Sequence, residues 1–126
     1  TFAIIDKPRP KANVSEVLHV IGEVDGRDCL LADDLIDTGG TMTEAVLALK
    51  SRGARDVYCC ATHALFSGPA VERFSKSPVK EVVVTNTIAM PQEKMFPQHT
   101  VLSVGELIAS AIRYTHSNES VSSLFE

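Results

Sequence analysis

The 126-residue chain has no tryptophan, two tyrosines and three cysteines. Cys29, Cys59 and Cys60 are odd in number and two of them are adjacent, which excludes a disulfide framework and reads as a reducing, cytoplasmic setting. There is no CxxC pair and no zinc-like spacing. The opening TFAIIDKPRPK lacks both a methionine and the basic-then-apolar order of a secretory signal. Because an apolar run, Phe2-Ala3-Ile4-Ile5, comes at once, the expectation is a piece of a longer polypeptide. No apolar run approaches the roughly 20 residues of a membrane helix. Basic residues are in deficit: 12 Lys and Arg against 16 Asp and Glu give a net charge of −4, with a pI near 5.5. Such a field repels nucleic acid, so any anion must be held by local chemistry.

With 44% hydrophobic and 22% charged residues, the composition is that of one globular domain rather than a disordered segment. Short apolar runs alternate with helical patterns, which predicts an α/β fold: a mostly parallel sheet flanked by helices. Strands are expected at 2–5, 17–20, 29–32, 57–62, 81–85 and 100–102. The all-apolar run Cys29-Leu30-Leu31-Ala32 reads as a parallel strand buried on both faces and ending at Asp33-Asp34. Capping boxes at Thr41-Met42-Thr43-Glu44 and Ser103-Val104-Gly105-Glu106 predict helices over about 42–52, stopped by Gly53, and from 103 to about 115. A third helix is expected from Ser67-Gly68-Pro69 through Phe74. The Pro- and Lys/Arg-bearing stretch 6–16 reads as an exposed loop.

The chemistry concentrates in Asp33-Asp34-Leu35-Ile36-Asp37-Thr38-Gly39-Gly40-Thr41, between a strand and a helix. Ligands of open α/β sheets bind beyond the carboxyl ends of the strands, where a helix N-terminus offers unpaired amides and about half a positive charge. Gly39 and Gly40 let successive amides turn inward on an anion, and the Thr38 and Thr41 hydroxyls add donors. Asp33 and Asp34 repel phosphate but accept hydrogen bonds from sugar hydroxyls or hold a magnesium ion. The combination describes a site for a phosphorylated sugar; the plain alternative is an ordinary strand-to-helix turn with solvated acids at its rim.

Cys29 to Thr41 resembles the phosphoribosyl-pyrophosphate-binding motif shared by type I phosphoribosyltransferases and ribose-phosphate pyrophosphokinases. The segments 6–16, 61–70, 81–88 and 118–125 resemble the pyrophosphokinases in particular, so that the likeness covers nearly the whole chain. The resemblance implies a type I phosphoribosyltransferase-like domain, residues 1–126, forming the C-terminal half of a two-domain enzyme with a flexible catalytic loop at about 6–16. It implies transfer of the β,γ-diphosphoryl group of ATP to the anomeric hydroxyl of ribose 5-phosphate, yielding phosphoribosyl pyrophosphate and AMP.

By motif match, Lys7 and Arg9 are the catalytic candidates, closing on the triphosphate. Arg9, Asp33, Asp34, Asp37, Thr38, Gly39, Gly40 and Thr41 are the ribose 5-phosphate candidates. In this loop the family usually has Lys-Arg-Arg-Pro, whereas Pro8 stands at the second position here. Magnesium is the implied cofactor, with its protein ligands outside this chain. The implied partners are ATP, ribose 5-phosphate, the missing N-terminal domain and further copies of the chain, as a hexamer; neither nucleic acid nor membrane is expected. The alternatives are a type I phosphoribosyltransferase or a non-catalytic regulatory subunit. The 126 residues alone are expected to turn over negligibly.

His63 reads as a hydrogen-bonded structural histidine, with a place facing the site as the alternative. His19, His99 and His116 read as surface or packing residues, and Cys59 and Cys60 as small core hydrophobes. Ser120, Ser122 and Phe125 match a regulatory segment of some relatives, although a packed tail accounts for Phe125 equally well.

Overall fold

The computed structural model describes residues 4–6 and 19–126, with side chains from residue 20 onward. A short antiparallel pair, β1 (Ile4–Asp6) with β2 (His19–Ile21), precedes the main sheet. That sheet has four parallel strands in the order β3 (Cys29–Ile36), β4 (Val57–Ala64), β5 (Glu81–Thr85) and β6 (His99–Leu102). Helix α1 (Gly40–Ser51) connects β3 to β4, α2 (Ala70–Lys76) connects β4 to β5, and α3 (Gly105–His116) follows β6. One-turn 3₁₀ segments lie at Gln92–Lys94 and Val121–Phe125. The parallel α/β architecture expected from the alternating pattern is therefore present.

The core lies on one side of the sheet. Val57, Cys59 and Ala61 of β4 and Val82 and Val84 of β5 alternate inward and meet Val46 and Leu49 of α1 and Phe74 of α2. Phe66, Phe74 and Phe96 close its lower end: Phe74 stacks on Phe96 at 5.9 Å, and Phe66 meets both rings edge-on. The opposite face is not covered in the same way. Leu30 is 67% exposed, its register partner Tyr58 is half-buried, and α3 buries none of its own residues.

Several local expectations need correction. The run at Cys29 to Ala32 is not buried on both faces, because among the described residues β3 is an edge strand paired with β4 and the connecting helices lie on one side. Nor does β3 end at Asp33-Asp34: pairing with β4 carries it through Leu35↔His63 and Ile36↔Ala64. Neither capping box forms as expected. Helix α1 starts at Gly40, behind Gly39 in the left-handed conformation (φ 71°), with no side-chain cap, so Thr41 falls inside the first turn. At α3 the cap is Val104, whose amide donates to Asn86 Oδ1 at 2.9 Å, while Ser103 Oγ accepts the Gly105 amide. Gly53 does terminate α1 with φ 86°. The left-handed φ is what favours glycine there, since a Cβ would meet the far end of the Asp25 side chain, which can move aside.

Candidate functional site

The chain leaves β3 at Ile36 and enters α1 at Gly40, and the three residues between turn over the carboxyl end of the sheet. Each carbonyl on this path is tied to the scaffold. Ile36 O accepts the Leu65 and Phe66 amides at 2.9 and 3.3 Å, and Asp37 O accepts the Ser67 amide at 3.0 Å. Gly39 O accepts the Thr43 amide at 2.9 Å and the buried Thr43 hydroxyl at 2.8 Å. Thr38 O accepts Nη1 of Arg73, from α2, at 2.9 Å. A trans peptide is planar, with its C=O and the following N–H pointing in opposite directions. Tying the carbonyls of 37, 38 and 39 inward therefore turns the amides of Thr38, Gly39 and Gly40 outward. Among the described residues these three amides donate to no protein group. They lie at the positive end of a 12-residue helix, an arrangement whose chemistry suits an anion.

The amides open on a cleft of about 150 Å³ lined by Asp33, Leu35, Ile36, Asp37, Thr38, Gly39, Gly40, Thr41 and Met42. Six of the predicted substrate residues thus come together. Asp34 is not among the lining residues; it is exposed, and its amide donates to Asp33 Oδ1 at 2.8 Å. Lys7 and Arg9, the predicted catalytic pair, lie outside the described residues together with most of the loop 6–16. The apolar wall of Leu35, Ile36 and Met42 was not singled out by the sequence, although the strand and helix patterns on either side contain it.

Arg73 was missed as well. Nothing local announces it, since it reaches the loop from 35 residues further along the chain.

The remaining candidates separate cleanly. His63 is hydrogen-bonded through Nδ1 to Thr87 Oγ1 at 2.8 Å, in a hydroxyl cluster where Thr85 and Thr87 both donate to Thr62 O. Cys59 is fully buried, and burial together with the neighbouring Cys60 pushes its thiol up to about 12, so it is no nucleophile at neutral pH. Cys60 and Cys29 are only half-buried. His99 packs its ring on Phe96 at 4.9 Å, and His116 is exposed. The side chain of His19 lies outside the described residues. Ser120 and Ser122 bond to each other at 2.7 Å, and Phe125 is 73% exposed, which removes the packed-tail account of that residue.

Among the described residues no three His, Cys, Asp or Glu side chains gather into a metal-binding group; the acids that line the cleft are Asp33 and Asp37. Among the described residues no helix is long and apolar enough to cross a membrane.

The four-stranded parallel sheet with its connecting helices defines an α/β domain, with the row of outward amides and the acidic side chains at the carboxyl end of the sheet. The family is identified by comparison: residues 3–126 match the phosphoribosyl synthetase-associated domain, and the chain belongs to that family. It is 54% identical over 124 residues to the ribose-phosphate pyrophosphokinase of Caldanaerobacter subterraneus subsp. tengcongensis and 52% identical over 124 residues to that of Bacillus subtilis. Each alignment takes in 98% of this chain and 39% of the relative. Ribose-phosphate pyrophosphokinase 2, chloroplastic, of Oryza sativa is 52% identical over 99% of the chain and 31% of its own length. The crystal structure of phosphoribosylpyrophosphate synthetase from Mycobacterium smegmatis matches with a TM-score of 0.84 at 44% identity, over 92% of this chain and 37% of that one. The chain thus spans about two-fifths of the length of the bacterial relatives it matches.

Proposed function

We propose that this region forms the ribose 5-phosphate-binding part of a ribose-phosphate pyrophosphokinase. The observation that carries the reading is the row of outward amides at Thr38, Gly39 and Gly40, set in one cleft with Asp33 and Asp37. Amides at a helix start attract a phosphate, whereas carboxylates accept from hydroxyls, so a ligand satisfying both is a sugar that carries a phosphate at one end. The names of the relatives, all pyrophosphokinases or phosphoribosylpyrophosphate synthetase, support the same substrate.

In the proposed reaction the anomeric oxygen of ribose 5-phosphate attacks the β-phosphorus of ATP and loses its proton. The bond from that phosphorus to the oxygen bridging it to the α-phosphorus breaks, and AMP leaves with that oxygen. Positioning and charge neutralisation dominate such transfers. The amides would fix the 5-phosphate, and Asp33 and Asp37 would orient the ring. Lys7 and Arg9 would neutralise the charge that builds on the triphosphate. Magnesium would supply further neutralisation as the ATP complex; Asp33 and Asp37 are the hard oxygen donors that this cleft offers it. The rest of the enzyme would bring the nucleotide site, and assembly into a homo-oligomer, a hexamer by resemblance, belongs to the same proposal.

Titration calorimetry of the chain with ribose 5-phosphate tests the reading. Binding is expected, with Asp33→Asn weakening it roughly tenfold, about 1.4 kcal/mol. ATP-dependent release of AMP is expected to be negligible for the 126 residues alone. Full turnover by these residues, or base-dependent release of pyrophosphate from phosphoribosyl pyrophosphate, would overturn the assignment.

A further inference from the structure

The carbonyls between residues 36 and 39 are not all held by the same kind of bond. Those of Ile36, Asp37 and Gly39 accept backbone amides from Leu65, Phe66, Ser67 and Thr43. Among the described residues the Thr38 carbonyl has a side chain as its partner, the Arg73 guanidinium at 2.9 Å. The orientation of the Thr38–Gly39 peptide is therefore the one step of the loop that the backbone network does not dictate. It is also the step most able to rotate, because Gly39 at φ 71° has no Cβ and accepts several conformations at little cost. If that peptide turned over, the Thr38 carbonyl would face the cleft in place of the Gly39 amide, and an acceptor would meet the phosphate where a donor is needed.

The backbone of Arg73 is anchored beside the loop. Its own amide donates to Pro69 O at 2.9 Å, and its neighbour Phe74 is fully buried between Phe66 and Phe96. The guanidinium lies beside the loop on the side facing α2, 3.1 Å from where a Gly40 Cβ would stand. We infer that Arg73 is a positioning residue, whose hydrogen bond to the Thr38 carbonyl holds the Gly39 amide toward the cleft so that the loop is set before ligand arrives. The orientation inference concerns the unliganded loop; its consequence for affinity rests on the ribose 5-phosphate reading of the site.

The test compares the chain with its Arg73→Met and Arg73→Lys variants, using amide NMR without ligand and calorimetry with ribose 5-phosphate. In Arg73→Met the Gly39 amide resonance is expected to move and its solvent exchange to quicken, while core resonances such as those of Val82 and Val84 stay in place. Affinity is expected to fall about three- to tenfold, the range for one lost hydrogen bond. Arg73→Lys, which keeps a charged donor, is expected to recover part of both changes. It also decides the matter if Arg73→Met fails to fold. An unmoved Gly39 amide overturns the inference, including the case where affinity falls by loss of charge alone. If Gly39 moves as expected but the unaltered chain ignores ribose 5-phosphate, the substrate reading fails and the role of Arg73 in setting the loop stands.

Discussion

Gly39 shows how closely the site depends on single residues. A methyl group there would stand 2.7 Å from Cε2 of Phe74, a fully buried ring packed against Phe66 and Phe96. The left-handed φ adds roughly 1 kcal/mol for any residue with a Cβ, and forcing a methyl into a packed core costs about 1–3 kcal/mol more. Gly39→Ala is therefore expected to lower stability by about 2–4 kcal/mol in chemical denaturation and to abolish detectable ribose 5-phosphate binding. A variant that is as stable as the parent and binds as well would show that the αL turn is dispensable. Gly40 has more room, since a Cβ there would stand 3.1 Å from Arg73 Nη1 and 3.9 Å from Thr38 Oγ1.

Among the elements, the mouth of the sheet opposite the site is tied by charge. Arg55, just ahead of β4, donates to both carboxylate oxygens of Asp28, just ahead of β3, with Nε to Oδ1 at 2.7 Å. The Arg55 hydrogen bond holds the Asp28 carboxyl below its ordinary value. A carboxylate lowered in the folded state adds stability above its unfolded value and loses that contribution as pH falls through the folded value. Carbonyl NMR is expected to show Asp28 titrating below an ordinary aspartate, and Arg55→Met to return it toward the ordinary value. Identical titrations in the two proteins would mean that the ion pair does not persist in solution.

Much of this element plan was legible in the sequence. Periodicity located the parallel strands, Glu81–Thr85 to the residue, and the glycines and threonines marked the loop that lines the cleft. The failures have physical causes. Asp33-Asp34 read as a strand end because two carboxylates are foreign to a buried strand, yet both are exposed on β3 and pairing with β4 continues to Ile36. Thr41 read as a cap because Thr41-Met42-Thr43-Glu44 has the capping-box spacing, yet Gly39 in αL makes that turn without a side chain. Arg73 was invisible because its bond to the loop is purely tertiary.

On the scale of the whole molecule, burial is one-sided. Val82 is fully buried between sheet and helices, whereas Leu30 on the other face is 67% exposed. Val82→Ala is expected to destabilise the chain by about 2 kcal/mol, and Leu30→Gln to stay within about 0.5 kcal/mol of the parent, both read from denaturant midpoints. Equal losses at the two positions would mean that the open face is covered in solution.

The outward amides of Thr38, Gly39 and Gly40 are tested directly by nitrogen-15 NMR of the chain titrated with ribose 5-phosphate. The Gly39 and Gly40 amide protons should shift downfield together, saturating with one ligand, while the Asp28 and Arg55 signals at the far end of the sheet stay fixed. Amide signals at Thr38, Gly39 and Gly40 that do not move at saturating ligand would contradict it.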